Sequence, residues 1–289
     1  MRLRRTLLWV PGNRWEKICE AIKTQADCLT LDLEDSVPVL EKEKARETVL
    51  KALKELDFQG KEKIVRINPV NTVLGQTDIR TIIKGNPDAI RLPKCENLEY
   101  VLELDRILSD YEKETSNSIK IILMIETPLG IRKAYELATC TKRIVAIGLG
   151  AEDLTTELKT SRSTTGLELE LMYARQKLMI DGRAAGVDVI DSSCLAINNL
   201  DDLRRETEMI KQMGFDGKSV AHESQVTVVN DVFNPSPDEI NYAQKVMEFY
   251  SKAEREGSFQ AFLEGKMIDV PVARKAHLLM ERAKAAGLI

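Results

Sequence analysis

An α/β TIM (β/α)8 barrel with a carboxyl-terminal helical extension and lid is the fold this sequence predicts, on three observations. Eight short runs rich in Leu, Ile and Val recur along the chain, at 6–10, 28–33, 63–67, 89–92, 119–125, 144–149, 187–190 and 217–221. Most are apolar throughout rather than alternating, as strands become when a barrel interior and a helix layer bury both faces. Stretches with one wet face separate them, so strand and crossover helix alternate.

The elements follow in order. Val101, Leu104, Leu108 and Tyr111 fall at spacings of three and four, with Glu103, Asp105, Arg106 and Asp110 elsewhere, which suits a helix of the outer ring. Thr160 to Gly166 is the most loop-like interior segment. After the eighth run, Ser236 as cap, Pro237 at the first helical position and Glu239 form a capping box. The helix it opens carries Ile240, Ala243, Met247 and Tyr250 on one side. A Gly-containing segment, 256–266, leads to a last helix with Val272, Ala276, Leu279, Met280 and Ala283 on a stripe. The chain therefore divides into a barrel domain, 1–235, and an extension, 236–289, that eight repeats do not need.

Composition narrows the partners. With 42 Lys and Arg against 46 Asp and Glu, the net charge of −4 offers no general attraction to nucleic acid or an anionic membrane, so an anionic partner must be held by a local cluster. The cysteines Cys19, Cys28, Cys95, Cys140 and Cys194 are odd in number and lack CxxC spacing, which argues for reduced thiols in a cytoplasmic protein. The apolar run at the amino terminus is too short for a signal segment, and no stretch is long enough to span a bilayer.

Barrel chemistry sits at the carboxyl ends of the strands, and here those ends are rich in charge. Asp32, Glu34 and Asp35 follow the second run, the third contains Arg66, Lys94 follows the fourth, Glu126 closes the fifth, and Glu152 and Asp153 lie past the sixth. Asp191 ends the seventh and His222 the eighth. For any one acid, helix capping competes with ligation, and Asp35 and Asp153 suit a cap. Glu126 suits it less, because Thr127 and Pro128 follow and Thr127 is the natural cap. Arg66 in a strand needs an anionic partner from protein or substrate. Two acids from neighbouring strand ends, with only His222 and His277 in the chain, favour Mg²⁺ or Mn²⁺ over zinc. Lys94 and Lys218 are placed for a Schiff base, which so many charged neighbours disfavour. Ser192, Ser193 and Cys194 read as a turn rather than a nucleophile, and Gly148-Leu149-Gly150 alone is no nucleotide loop.

RTLLWVPG at 5–12, LDLEDSV at 31–37, VRIN at 65–68, LPK at 92–94, IETPLG at 125–130, GAED at 150–153, GK at 217–218 and GKMID at 265–269 resemble, in order, the motifs of the citrate lyase β-subunit and malyl-CoA lyase group within the HpcH/HpaI aldolase–citrate lyase superfamily. The resemblance implies a Mg²⁺-dependent carbon–carbon lyase that cleaves a citryl, citramalyl or malyl thioester, on CoA or an acyl carrier protein, into an acetyl thioester and an α-keto acid. It implies Glu126 and Asp153 as metal ligands, Glu34 and Asp35 in or near the second shell, and Arg66 on the keto-acid half. Arg5, Arg14 and Lys94 would lie near the thioester cofactor. Asp269 would be an acid carried on a lid, often reaching a neighbouring subunit, which implies a homotrimer or larger assembly and, for citrate lyase, transferase and carrier-protein partners.

The chain departs from that pattern at His222-Glu223, where relatives carry Asn-Pro or His-Pro, at Glu264-Gly265-Lys266, where many read Asn-Gly-Lys, and at 191–194. Two other readings compete: a metal aldolase that forms a pyruvate enolate without CoA, and a non-catalytic subunit of a lyase complex. The GKMID segment speaks against the first, and a cluster of like charges that only a cation would relieve speaks against the second.

Overall fold

The computed structural model describes residues 2–113, 118–163, 168–194, 197–258 and 260–289. Eight parallel strands close in sequence order into a barrel: β1 (Thr6–Pro11), β2 (Cys28–Asp32), β3 (Glu62–Arg66), β4 (Ala89–Leu92), β5 (Lys120–Ile125), β6 (Ile144–Leu149), β7 (Asp188–Asp191) and β8 (Gly217–Val220). The crossovers carry α1 (Trp15–Ile22), α2 (Lys42–Glu55), α3 (Val73–Ile82), α4 (Leu98–Glu112), α5 (Pro128–Arg132), α6 (Ala134–Thr139), α7 (Ala151–Glu157), α8 (Leu169–Ala185), α9 (Leu200–Met213) and α10 (Ser224–Phe233). The expected TIM barrel is therefore present. Residues 164–166 of the loop-like segment lie outside the described residues.

Side-chain alternation sorts the interior into layers. Leu7, Cys28, Ile64, Ala89, Ile122, Ala146 and Ile190, one from each of β1 to β7, form a buried apolar ring. Two positions further along each strand, on the same face, stand Trp9, Thr30, Arg66, Arg91, Met124, Gly148 and Ser192. A further two give Asp32 on β2 and Glu126 after β5. The barrel is thus apolar toward the amino ends of its strands and polar toward their carboxyl ends, where the crossovers to the helices begin.

Opposite that polar end, Arg4 joins β1 to β3 and β7 through Glu62 (2.7 Å) and Asp188 (2.6 Å). Arg5 bonds Asp27 ahead of β2 (2.7 Å). Arg5 was expected near the thioester cofactor, and the structure corrects this: it precedes the first strand, so it stands at the amino end of the barrel and serves as a clasp.

Behind β7 and β8, a buried ionic cluster ties strands to helices. Arg175 of α8 reaches Asp191 (2.9 Å), Glu168 (2.6 Å) and Glu206 of α9 (3.0 Å). Lys218 of β8 reaches Asp191 (2.7 Å) and Glu206 (2.6 Å). Arg162 adds a third cation against Glu168 (2.6 Å), so three cations face three carboxylates. Asp191 is held well below the usual carboxylate range: burial opposes ionisation, but Arg175 and Lys218 overcome it.

The carboxyl-terminal unit, Asp231–Ile289 with the extreme amino terminus, divides from the barrel unit, Arg4–Asn230, inside α10 and so earlier than the boundary expected after residue 235. It contains α11 (Pro237–Arg255), β9 (Ala261–Leu263), β10 (Lys266–Ile268) and α12 (Val270–Ala285). The capping box at α11 is present as expected, with Ser236 and Glu239 exchanging both bonds. Ala243 and Val246 of α11 pack with Leu263, Ile268 and Ala276 in this unit's own core.

Removing one partner from a buried ion cluster leaves a desolvated charge behind. Lys218→Met is expected to destabilise the fold by about 3–5 kcal/mol, read from urea unfolding; a loss below about 1 kcal/mol would show that the cluster contributes little.

Candidate functional site

A cavity of about 370 Å³ opens at the carboxyl ends of the strands. Its lining includes Trp9, Asp32, Asp35, Arg66, Met124, Glu126, Gly150, Asp153, Arg162, Ser192 and Ser219. Among the sequence-predicted residues, Arg66, Glu126, Asp153 and Asp35 meet there.

Glu126 follows β5 and is 2 % exposed. Thr127 caps α5 as expected, accepting from the Gly130 amide (3.0 Å), so the Glu126 side chain is not needed as a cap. Its Oε1 accepts from the Lys94 backbone N–H (2.6 Å). Lys94 holds a left-handed backbone (φ 51°) in doing so, a conformation unfavourable for a residue with a side chain. No hydrogen-bond donor among the described residues engages Oε2. Burial pushes Glu126 up, and the Asp153 charge adds to that shift. Asp153 itself stands in the first turn of α7, and its side chain makes no hydrogen bond or ion pair among the described residues.

Both glycines of the Gly148-Leu149-Gly150 segment make room for a charge. A Cβ on Gly150 would collide with Oε2 and Cβ of Glu126, and one on Gly148 would stand 3.1 Å from Nη2 of Arg91. The spacing of two matches the strand period, not a nucleotide loop.

Arg66 finds its anion within the protein. Asp32 binds it in a fork (2.6 and 2.7 Å), and Asp35 lies 3.4 Å from Nη1. Burial opposes the Arg66 charge, but these carboxylates raise its pKa further. Glu34 Oε2 is 2.8 Å from Arg66 Nη1 without an aligned N–H, and burial pushes Glu34 up to about 8. Of the two residues expected around the metal, Glu34 is buried against Arg66 and Asp35 is exposed at the cavity rim.

Sequence reasoning missed the residues beneath these. Arg91 of β4 is fully buried, its Cζ 4.3 Å from the Trp9 ring centroid, while the Cζ of Arg66 is 4.4 Å from the same ring. Burial, with Arg66 close by, pulls Arg91 down to about 9, so it remains a cation at neutral pH. The available signal was its position in AIRL, on the same strand face as the ring residue Ala89.

Lys94 and Lys218 are both unsuited to a Schiff base. Burial would lower the Lys94 pKa, but Asp153, Glu34, Asp35 and Glu126 together raise it. Lys218 is likewise raised against burial by Asp191 and Glu206. A neighbouring cavity of about 540 Å³ shares Trp9, Pro11 and Ala221 with the first and carries Arg14, Lys17 and His222. Asp269 belongs to the carboxyl-terminal unit, where it caps α12 by accepting from the Val272 amide (3.1 Å).

Residues 5–223 match the model of the family described as HpcH/HpaI aldolase/citrate lyase. The chain belongs to this family. It is 38% identical over 291 residues to the citrate lyase subunit beta of Leuconostoc mesenteroides subsp. cremoris, covering 100% of this chain and 96% of that one. It is 30% identical over 285 residues to the mitochondrial citramalyl-CoA lyase of Homo sapiens, covering 94% and 83%. Among solved structures, it resembles the protein CitE from Mycobacterium tuberculosis in complex with magnesium, acetoacetate and coenzyme A, with a TM-score of 0.77, 26% identity, and coverage of 98% and 100%. The motifs at 5–12, 31–37, 65–68, 92–94, 125–130, 150–153 and 217–218 all fall within the matched span.

The donor set fits the magnesium that this family member holds. Among the described residues no group of three or more His, Cys, Asp and Glu side chains forms a closed cage. Mg²⁺ is held by one or two carboxylates with water and substrate oxygens completing its shell, and the open Glu126 oxygen and unpartnered Asp153 offer that pair.

A cation must displace any proton held on these acids. Because burial pushes Glu34, beside the site, up to about 8 and raises Glu126 as well, Mg²⁺ affinity measured by calorimetry should strengthen as the pH rises toward 8, by up to about 10-fold per pH unit for each proton released; a pH-independent affinity would contradict this. Gly150→Ala, which displaces the Glu126 carboxylate, should weaken Mg²⁺ binding by about 10–100-fold. Unchanged affinity in the folded variant would remove Gly150 from the account.

Proposed function

We propose that this chain is a Mg²⁺-dependent carbon–carbon lyase that cleaves a citryl, citramalyl or malyl thioester, on CoA or an acyl carrier protein, into an acetyl thioester and an α-keto acid. The observation that carries this reading is the pairing of Glu126, one oxygen fixed and the other open, with the unpartnered Asp153 at the same cavity.

Cleavage starts with loss of the substrate's hydroxyl proton, and the charge on that oxygen passes through the breaking carbon–carbon bond to the thioester enolate as the ketone forms, so the site must stabilise negative charge first at that oxygen and then at the enolate. When bound, Mg²⁺ would supply Lewis acidity at the substrate hydroxyl and its adjacent carboxylate. Glu126 and Asp153 are the proposed ligands, with Lys94 fixing Glu126 through its amide. Arg66, itself locked by Asp32, presents a fixed positive field to the keto-acid half. Asp35 contributes charge to hold Arg66, and Glu34 packs against it beneath the rim. Arg14 and Lys94 are the proposed contacts of the thioester carrier, Arg14 with Lys17 and His222 in the adjoining cavity.

Asp269 is the proposed proton donor to the enolate carbon, supplied by the carboxyl-terminal unit. A homotrimer or larger assembly in the cytoplasm is the proposed state. The exposed, paired Phe262 and Met267 of the β9–β10 hairpin support an assembled form. No helix of the described residues is long and apolar enough to cross a membrane.

Incubation with Mg²⁺ and citryl-, citramalyl- and malyl-CoA, with citryl carrier protein alongside, should release keto acid from at least one thioester; release from none would sink the reading. Asp269→Asn separates its two roles, since Asn caps helices as well as Asp but donates no acidic proton. The variant should keep its melting temperature and lose turnover by about 100-fold or more. Near-parent turnover would remove Asp269 as the acid.

A further inference from the structure

The middle interior layer of the barrel holds more hydrogen-bonding capacity than the protein uses. Thr30 Oγ1, Arg91 Nη1 and Ser192 Oγ are buried without a hydrogen-bond partner among the described residues. Native interiors leave few such groups, and each calls for an explanation.

Arg91 is the cation this layer leaves unmatched. Arg66 has Asp32, Glu34 and Asp35 within ion-pair distance, whereas Arg91 has no carboxylate among its bonding partners. Its Nε points to Met124 Sδ (2.8 Å) and its Nη2 to Ser219 Oγ (3.1 Å). β4 and β8 are four strands apart in an eight-strand ring, so this second bond spans the barrel.

The donor rules then fix the Ser219 hydroxyl. A guanidinium only donates, so Ser219 Oγ accepts from Arg91 and its own proton is available elsewhere. Ser219 lines the cavity, and so does Ser192 at the end of the adjacent strand. The Ser192 backbone is fixed by Lys218, whose ammonium donates to its carbonyl (2.7 Å). Ser192 is 4 % exposed and Ser219 1 %, so neither hydroxyl is an ordinary solvated surface group. Two hydroxyls on neighbouring strand ends, with a buried positive charge below one of them, match the needs of a carboxylate.

We propose that Ser192 and Ser219 seat a second substrate carboxylate, the one not attached to the hydroxyl-bearing carbon, with Arg91 as the positioning residue that orients Ser219 and supplies the countercharge. The assignment rests on the lyase reading, in which Glu126 and Asp153 serve the hydroxyl and its adjacent carboxylate. It selects a substrate class: the citryl type, whose keto product is the dicarboxylate oxaloacetate. Citramalyl and malyl thioesters lack this carboxylate and give pyruvate and glyoxylate.

Calorimetric titration of the full-length Mg²⁺-loaded chain with freshly prepared oxaloacetate and with pyruvate tests the seat without requiring turnover. The parent should bind oxaloacetate at least about 10-fold more tightly, as expected for charge-assisted hydrogen bonds to a carboxylate. Ser219→Ala and Ser192→Ala should each reduce that ratio several-fold. Arg91→Met should abolish it and Arg91→Lys should restore part of it, a rescue that a purely structural role would not produce in a ratio. Equal binding of the two acids by the parent, or an unchanged ratio in both serine variants, overturns the proposal. Failure of the lyase reading shows separately, as absence of keto-acid release from every thioester.

Discussion

One carboxylate, half satisfied, organises the site. Glu126 is buried at the end of β5 with a backbone N–H on one oxygen and, among the described residues, no donor on the other. Burying a carboxylate is costly unless it is paired, and burial already drives this one toward its protonated form. A divalent cation removes that penalty, and the surrounding construction keeps the position open for one. Thr127 takes the capping task, Lys94 adopts a left-handed backbone to reach Glu126, and Gly150 leaves the space that the side chain fills.

The rest of the interior follows from keeping like charges apart near that point. Arg66 is locked to Asp32 and Arg91 lies in the layer below, with the Trp9 ring in contact with both guanidinium groups. The apolar ring from Leu7 to Ile190 packs the barrel interior under them. The cluster of Arg175, Asp191, Glu206 and Lys218 fixes β7 and β8 from behind. It thereby sets the strand ends that carry Ser192 and Ser219.

Much of this was legible in the sequence because barrel strands buried on both faces stand out as apolar runs, and all eight fall within a residue or so of the expected bounds. The same reading placed Arg66, Glu126 and Asp153 at strand ends, and they share one cavity. Arg5 went astray because a motif carries no direction along the strand: it precedes the apolar run and therefore lies at the barrel's other end. Arg91 was hidden because a cation inside a strand reveals its neighbours only through the register across the barrel. The β9–β10 hairpin starts within the Gly-containing segment that the sequence does not resolve into strands. Its signal was Glu264-Gly265, two residues at positive φ (51° and 78°), the backbone that tight hairpin turns require.

The central claim is that Glu126 and Asp153 converge on a single divalent ion, and electron paramagnetic resonance with Mn²⁺ as the spin-active substitute tests it most directly. Titration should show one bound Mn²⁺ per chain in the parent, and Glu126→Gln and Asp153→Asn should each abolish that bound signal while the protein stays folded. Either variant binding Mn²⁺ as tightly as the parent would contradict the account.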